Sequence, residues 1–287
     1  AFLNVHTQIG YNMTQQTKVP VVAVVLAAGS GVRFDPAKPK QLVALNGKPI
    51  VAWSIEAFEN DEHVDDIVVV VNNTVREAVE QLIDDASYAK VRAIITGGAE
   101  RSDSTEAALT TLADAGIPQD AKILIHDAVR PFVSRQEIDG CIDALDEFTA
   151  ATVACPSTDT ILLTQDLGDR EVIQSVPERR HSFRAQTPQA FRFGTIRDAY
   201  AKAAGDPDFR PTDDTRVVVD YLPDQPVAIV GGSPRNMKVT TQDDMPLARA
   251  LANALAGAPR GPQNERQRAA KEQLHAMFGK AFGVEGE

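Results

Sequence analysis

Sulfur chemistry and membrane-length apolar runs are nearly missing from this chain. Two cysteines, Cys141 and Cys155, occur in 287 residues. That is too few for a disulfide scaffold, and they lack metal-ligand spacing, so a disulfide framework and a zinc site are excluded and a reducing compartment is expected. The longest apolar run, Val19–Ala28, is about half the length a membrane-spanning helix needs. Residues 1–18 lack the basic start and apolar stretch of a secretory signal. Basic charge is also scarce: Lys and Arg number 29 against 40 Asp and Glu, a net charge of −11. A nucleic acid or an anionic membrane needs a basic face, so neither is expected as a partner. An anionic ligand must be held by a few focused cations. The expectation is a cytoplasmic protein.

What is present is core material, since 43% of residues are hydrophobic. Runs of strand length, Val21–Ala27, Ile67–Val71, Val91–Ile95, Ile123–His126 and Ala151–Cys155, alternate with segments of helical apolar spacing. Those helices are expected at Pro49–Glu59, Val75–Asp85, Ser104–Ala115 and Gln136–Phe148. Val21–Ala27 and Ile67–Val71 are near-continuous Val, Ile and Ala, the pattern of strands buried on both faces. The alternation predicts an α/β domain over residues 19–257, built on a doubly wound, Rossmann-like and mostly parallel sheet. Ligands then belong at the carboxyl ends of the strands.

The rhythm breaks after Cys155. Asp159–Thr164 and Arg170–Gln174 are short strand-like runs joined by a turn that contains Gly168, which predicts a β-hairpin where a crossover helix was due. A hairpin there projects as an arm, about residues 156–186, and a projecting edge is commonly covered by a second subunit. A homodimer through this arm is the expectation; a hairpin folded back on its own domain is the competing reading. Beyond it, a helix at Phe193–Ala204, strands at Val227–Val230 and Met237–Thr240 and a helix from Gln242 to about Ala256 are expected. Residues 1–18 are read as an N-terminal extension, with Met13 as a natural start, and residues 258–287 as a helical C-terminal tail.

The most informative stretch runs from Leu26 to Gln41. Small residues, Ala27 to Gly31, follow the first strand and let backbone N–H groups approach a ligand, a cluster that favours phosphate. Arg33, Lys38 and Lys40 follow within reach. The spacing of a phosphate-binding P-loop is not there. A dinucleotide fold would want a third Gly where Phe34 sits and an acidic residue where Asn72 sits. A nucleotidyltransferase loop that wraps a triphosphate and neutralises it fits both the small residues and the cations.

The residues also resemble a known family. Ala27-Ala-Gly-Ser-Gly-Val-Arg33 with Pro39-Lys-Gln41, Gly97-Gly-Ala-Glu-Arg-Ser-Asp-Ser104, His126-Asp-Ala-Val-Arg-Pro131, Arg184-Ala-Gln-Thr-Pro-Gln189, Thr212-Asp-Asp214 and Asn236-Met-Lys-Val-Thr240 occur in order. The set is similar to the signature of 2-C-methyl-D-erythritol 4-phosphate cytidylyltransferases. Ribitol 5-phosphate cytidylyltransferases share most of these motifs and stay open as the alternative, as does another sugar-phosphate nucleotidyltransferase. A nucleotide-sensing module that has lost turnover is the non-enzyme alternative.

The resemblance implies transfer of CMP from CTP to a polyol phosphate, with Mg²⁺ as cofactor. The acceptor phosphate oxygen attacks the α-phosphorus, so neither a protein base nor a covalent nucleophile is needed, and catalysis rests on positioning and charge neutralisation. On this resemblance Ala28, Gly29, Ser30 and Gly31 line the triphosphate, and Arg33, Lys40 and Lys238 are catalytic. Gly98, Ala99 and Ser104 contact the cytosine, although a Ser near a helix start also caps free N–H groups. The family often has Asp at the position of Ala99 and Ile at that of Met237. Asp127 and Ala128 contact the ribose or the metal side of CTP, with Asp127 as the candidate metal ligand. Arg130 points to the acceptor, whose phosphate is bound by Thr160, Arg179 and Thr187. His126 is read as structural, and Asp213-Asp214 as helix-start charge.

Overall fold

The computed structural model of the chain describes residues 18–29, 34, 39–208 and 211–257. The C-terminal tail, Ser30, Gly31, Arg33 and Lys38, and the extension up to residue 17 lie outside these residues.

The first strand, β1 (Val21–Ala27), leads through the glycine loop to a small hairpin of β2 (Ala44–Leu45) and β3 (Lys48–Pro49). Strands and helices then alternate: α1 (Ile50–Glu59), β4 (Asp66–Val71), α2 (Arg76–Ala86), β5 (Val91–Thr96), α3 (Arg101–Asp114), β6 (Lys122–Asp127), α4 (Arg135–Glu147) and β7 (Ala150–Pro156). Next come β8 (Leu163–Asp166) and β9 (Glu171–Ser175), then β10 (Phe183–Arg192), α5 (Phe193–Ala203), α6 (Asp214–Tyr221), β11 (Val227–Gly231) and α7 (Met245–Gly257).

Seven strands form one sheet in the order β11-β7-β10-β6-β1-β4-β5, with β10 antiparallel to both neighbours and the remaining pairs parallel. The Val-rich centre is the reason. Val21, Ala23, Val25 and Ala27 pack under α1, α2 and α4 on one face, and Val22, Val24 and Leu26 under α3, α5 and α6 on the other. A strand with both faces covered has no polar side to show, hence its unbroken apolar run. A third apolar cluster lies off the sheet, where Leu45, Ile50, Val129, Phe132, Val239, Met245, Ala248 and Ala252 join the small hairpin to α7.

Two elements differ from the sequence expectation. Met237–Thr240 is not a strand. It is held by one backbone bond, Val239 N–H to the Val129 carbonyl at 2.8 Å, and by the buried Asn236 amide, which donates to the Thr187 carbonyl at 2.9 Å. Conversely, β10 is a central strand that apolar periodicity does not reveal. Its Gln186 and Gln189 are buried because they serve loops beside the sheet: Gln186 donates to the carbonyls of Ser233 (2.8 Å) and Asn236 (3.0 Å), and Gln189 accepts from Asp214 N–H (2.9 Å). The residues of β10 up to Gln186 therefore belong to the sheet rather than to the arm.

The hairpin forms its own two-stranded sheet, β8 with β9, turning at Gly168 with φ +92°. Its first strand begins at Leu163, later than the expected Asp159. Every residue of both strands is exposed.

Candidate active site

A pocket of about 140 Å³ opens at the carboxyl ends of β1, β5 and β6. Its lining includes Ala28, Gly29, Lys40, Gly98, Ala99, Ser104, Asp127 and Lys238, so eight of the residues singled out by sequence converge on one cavity. Gln41, Glu100 and Arg101 complete its polar wall.

Each wall has a local cause. After the glycine loop, Pro39 opens a short turn, Lys40–Leu42, in which Gln41 points inward. The Gln41 amide donates to the carbonyls of Ala27 (2.8 Å) and Gly29 (2.5 Å), bracing the start of the loop and leaving Lys40 at the pocket. On the opposite wall, β5 meets α3 through Gly97 and Gly98. A Cβ on Gly98 would lie 2.2 Å from that of Asp103, and one on Gly97 would lie 2.5 Å from Ser104 Oγ, so only glycine permits this close turn. Glu100 and Asp103 cap the helix reciprocally, and the Ser104 hydroxyl donates to the Glu100 carbonyl at 3.2 Å. Acidic groups at this helix start disfavour phosphate there. The anion-friendly side of the pocket is the one with Gly29, Lys40 and Lys238.

Asp127 organises the floor. Its Oδ1 meets Arg101 Nε at 3.1 Å, and its Oδ2 meets Lys238 Nζ at 2.9 Å and Arg130 Nε at 3.7 Å. Arg101 also pairs with the fully buried Asp214 at 2.6 Å, and Tyr200 donates to Asp214 at 2.6 Å. Burial pushes the Asp127 carboxyl up, but Arg101, Lys238 and Arg130 outweigh it and hold it well below the usual carboxylate range. Burial likewise works against the Arg101 charge, and the two carboxylates more than restore it. Arg101, Arg130 and Lys238 face two carboxylates, a surplus of one positive charge beside the pocket.

Thr187 is placed differently from its sequence role. It is buried, accepts from Asp127 N–H at 3.1 Å and lies 2.9 Å from His126 Nδ1. His126 Nε2 lies 3.0 Å from the Arg130 carbonyl, a pure acceptor, so Nε2 carries the ring proton and the Thr187 hydroxyl donates to Nδ1. That hydroxyl has no second proton to offer a substrate phosphate. Burial pulls His126 down to about 4, which keeps the ring neutral. Thr160 and Arg179 stand together at the root of the arm, Arg179 Nη2 donating to Thr160 Oγ1 at 3.1 Å, exposed and off the pocket lining. Ala128 is fully buried beside Asp127. Ser30, Gly31 and Arg33 lie outside the described residues.

Sequence reading left Arg101, Asp214 and Gln41 off the site, although all three fall inside its motifs. Arg101 and Asp214 each open a helix, where charge is ordinary. The signal that could have exposed them is a lone Arg among motifs that carry an Asp at a strand end, Asp127, and another at a helix start, Asp214.

For a metal, the pocket offers Asp127 with both oxygens already facing cations. That donor set does not make a resident cage, but one carboxylate is what Mg²⁺ takes when substrate phosphates supply the other oxygens. The cluster Asp61, His63 and Asp139, whose potential ligand atoms lie within 4.8 Å of one another, shares no residue with the pocket. Among the described residues no helix is long and apolar enough to cross a membrane.

Comparison with known proteins agrees with this geometry. The IspD family, 2-C-methyl-D-erythritol 4-phosphate cytidylyltransferase, matches residues 21–254. A protein of that name from Bifidobacterium longum (strain DJO10A) is 64% identical over 92% of this chain and 89% of its own length. One from Thermobifida fusca is 45% identical over 80% and 92%. The crystal structure of 4-diphosphocytidyl-2C-methyl-D-erythritol synthase from Anaerococcus prevotii superposes with a TM-score of 0.71 at 28% identity, covering 82% of this chain and 99% of that one. With a match across the whole sheet and a 64% identical relative, the chain belongs to the 2-C-methyl-D-erythritol 4-phosphate cytidylyltransferase family.

Proposed function

We propose that the protein transfers CMP from CTP to 2-C-methyl-D-erythritol 4-phosphate, giving 4-diphosphocytidyl-2-C-methyl-D-erythritol and pyrophosphate. The observation that carries the reading is the two-sided pocket. One wall has small residues with Lys40 and Lys238, suited to linked phosphates. The other has the glycine turn with Ala99 and Ser104, whose backbone groups and hydroxyl suit a neutral pyrimidine ring.

The chemistry needs little from the protein beyond placement. The acceptor phosphate oxygen is ionised near neutral pH, so it attacks the α-phosphorus without a base, and the α–β bridging oxygen leaves with pyrophosphate. Charge accumulates on the phosphoryl oxygens in the transition state, and Lys40 and Lys238 meet it from two sides. Arg33 joins them on the strength of its motif. Asp127 would hold a Mg²⁺ ion, which when bound would supply charge neutralisation to the phosphates. Arg179 and Thr160, already hydrogen-bonded to each other, take the acceptor phosphate; a guanidinium suits a bidentate grip. Thr187 works indirectly, fixing His126 and the backbone of Asp127.

A second copy of the chain covers the arm. Ile161, Leu162, Leu163, Leu167, Val172, Ile173 and Val176 are exposed along it, a run of large apolar side chains that water disfavours. Because Thr160 and Arg179 stand at the root of this arm, the acceptor site belongs to the dimer.

Pyrophosphate release with CTP and each of two acceptors tests the reading. Turnover with 2-C-methyl-D-erythritol 4-phosphate and far slower release with ribitol 5-phosphate is expected. The reverse ranking would move the chain to the ribitol enzyme, and CTP binding without release from either acceptor would make it a binding module.

A further inference from the structure

We propose that Arg101 is a positioning residue for the transfer. It occupies one oxygen of Asp127 so that the other seats the Lys238 ammonium, and Asp214 and Tyr200 brace it from behind. The inference rests on the pocket being the nucleotide site, and it adds a mechanism for how Lys238 is aimed.

The contacts form a chain from the apolar layer to the pocket. Tyr200, packed in the cluster under the sheet, donates to Asp214 Oδ1 at 2.6 Å. Asp214 Oδ2 meets Arg101 Nη1 at 2.6 Å, and Arg101 Nε meets Asp127 Oδ1 at 3.1 Å. Asp127 Oδ2 then meets Lys238 Nζ at 2.9 Å. The backbone of Asp214 is fixed as well, its N–H donating to Gln189 Oε1 at 2.9 Å. Asp214 and Tyr200 are absent from the pocket lining, whereas Arg101, Asp127 and Lys238 belong to it. The relay therefore begins where no substrate reaches and ends on a group that meets phosphate.

Two alternatives fit less well. For stability alone, a buried ion pair is a poor choice, since apolar residues of similar volume often serve as well or better. For direct ligand binding, Arg101 is poorly free: Nε and Nη1 are taken by carboxylates, and Nη2 is buried. What remains is geometry. One rigid guanidinium fork bridges two carboxylates, Nη1 on Asp214 and Nε on Asp127, and so fixes where Asp127 Oδ1 sits; a point charge on a flexible stem cannot span both in a set geometry. Without that fork, the Asp127 carboxylate is free to turn both oxygens toward Lys238 and Arg130 and to draw the ammonium away from the phosphate.

A double-mutant cycle tests this. Arg101→Lys is expected to lower kcat about tenfold with less than a twofold change in the KM for CTP, and to cost less than about twofold in a Lys238→Ala background, because coupled residues are non-additive. Tyr200→Phe, which removes one hydroxyl, is expected to lower kcat about threefold and to be masked in the same way. The same factor in both backgrounds, or an effect carried wholly by KM, would overturn the proposal. Failure of the functional reading has a different signature, no pyrophosphate from the wild-type protein. CTP affinity measured by calorimetry on Arg101→Lys should change less than about twofold, and a larger loss would make Arg101 a binding residue and count against the proposal.

Discussion

The sheet and the arm solve opposite problems with the same chain. In the sheet, Val22, Val24, Val68 and Ile125 are fully buried and the charges beside them are paired, so the fold closes on itself. In the arm, Ile173 is 60% exposed, and a two-stranded hairpin has no core of its own. Burying such side chains is worth about 1.5–3 kcal/mol each, and an isolated two-stranded hairpin is marginal in water. The difference teaches that the pocket is complete within one chain, whereas the acceptor half of the site, in the dimer we propose, depends on the assembly.

The sharpest way to break this division is to put charge on the arm. Ile173→Asp with Leu163→Asp is expected to raise the dimer dissociation constant by roughly a thousandfold, because an unpaired carboxylate in an apolar interface costs several kcal/mol. Analytical ultracentrifugation reads the outcome. CTP affinity should be unchanged in the resulting monomer, and a parallel loss of CTP binding would show the halves are not separate. On the sheet side, Lys40→Ala is expected to lower kcat about a hundredfold, the scale of losing one oriented donor to the transition state, with the dimer intact. Arg179→Ala comes next: steady-state kinetics should show the KM for the acceptor rising about tenfold and that for CTP little. The opposite ranking would place the acceptor elsewhere.

How much of this was legible in the sequence follows the same divide. β1 and β4 could be read because strands covered on both faces spell unbroken Val and Ile. β10 could not: its Gln186, Thr187 and Gln189 are buried yet polar, satisfied respectively by loops more than forty residues away, by the neighbouring strand and by the start of α6. Met237–Thr240 looked like a strand because Val239 is buried, but that burial comes from the third cluster and not from a ladder. Gly29, Lys40 and Lys238 were visible because their motifs carry chemistry. Arg101 and Asp214 were not, since a charge at a helix start usually faces solvent and only the fold brings these two together.

The smallest effect concerns His126. Its folded value, about 4, lies below the ordinary 6.5 of the unfolded chain, so the unfolded state binds the extra proton first and stability falls as pH drops below 6.5. Between pH 6.5 and 5.5 the wild type should lose about 1 kcal/mol more than a His126→Gln variant, measured by urea unfolding, and equal losses would show that the ring is not held neutral by the sheet.

The most direct test of the account is a crystal structure with CTP. The account predicts the triphosphate between Gly29, Lys40 and Lys238, with the cytosine against Gly98, Ala99 and Ser104. Density for the nucleotide at the root of the arm, or along the acidic start of α3 with its phosphates toward Glu100, would contradict it.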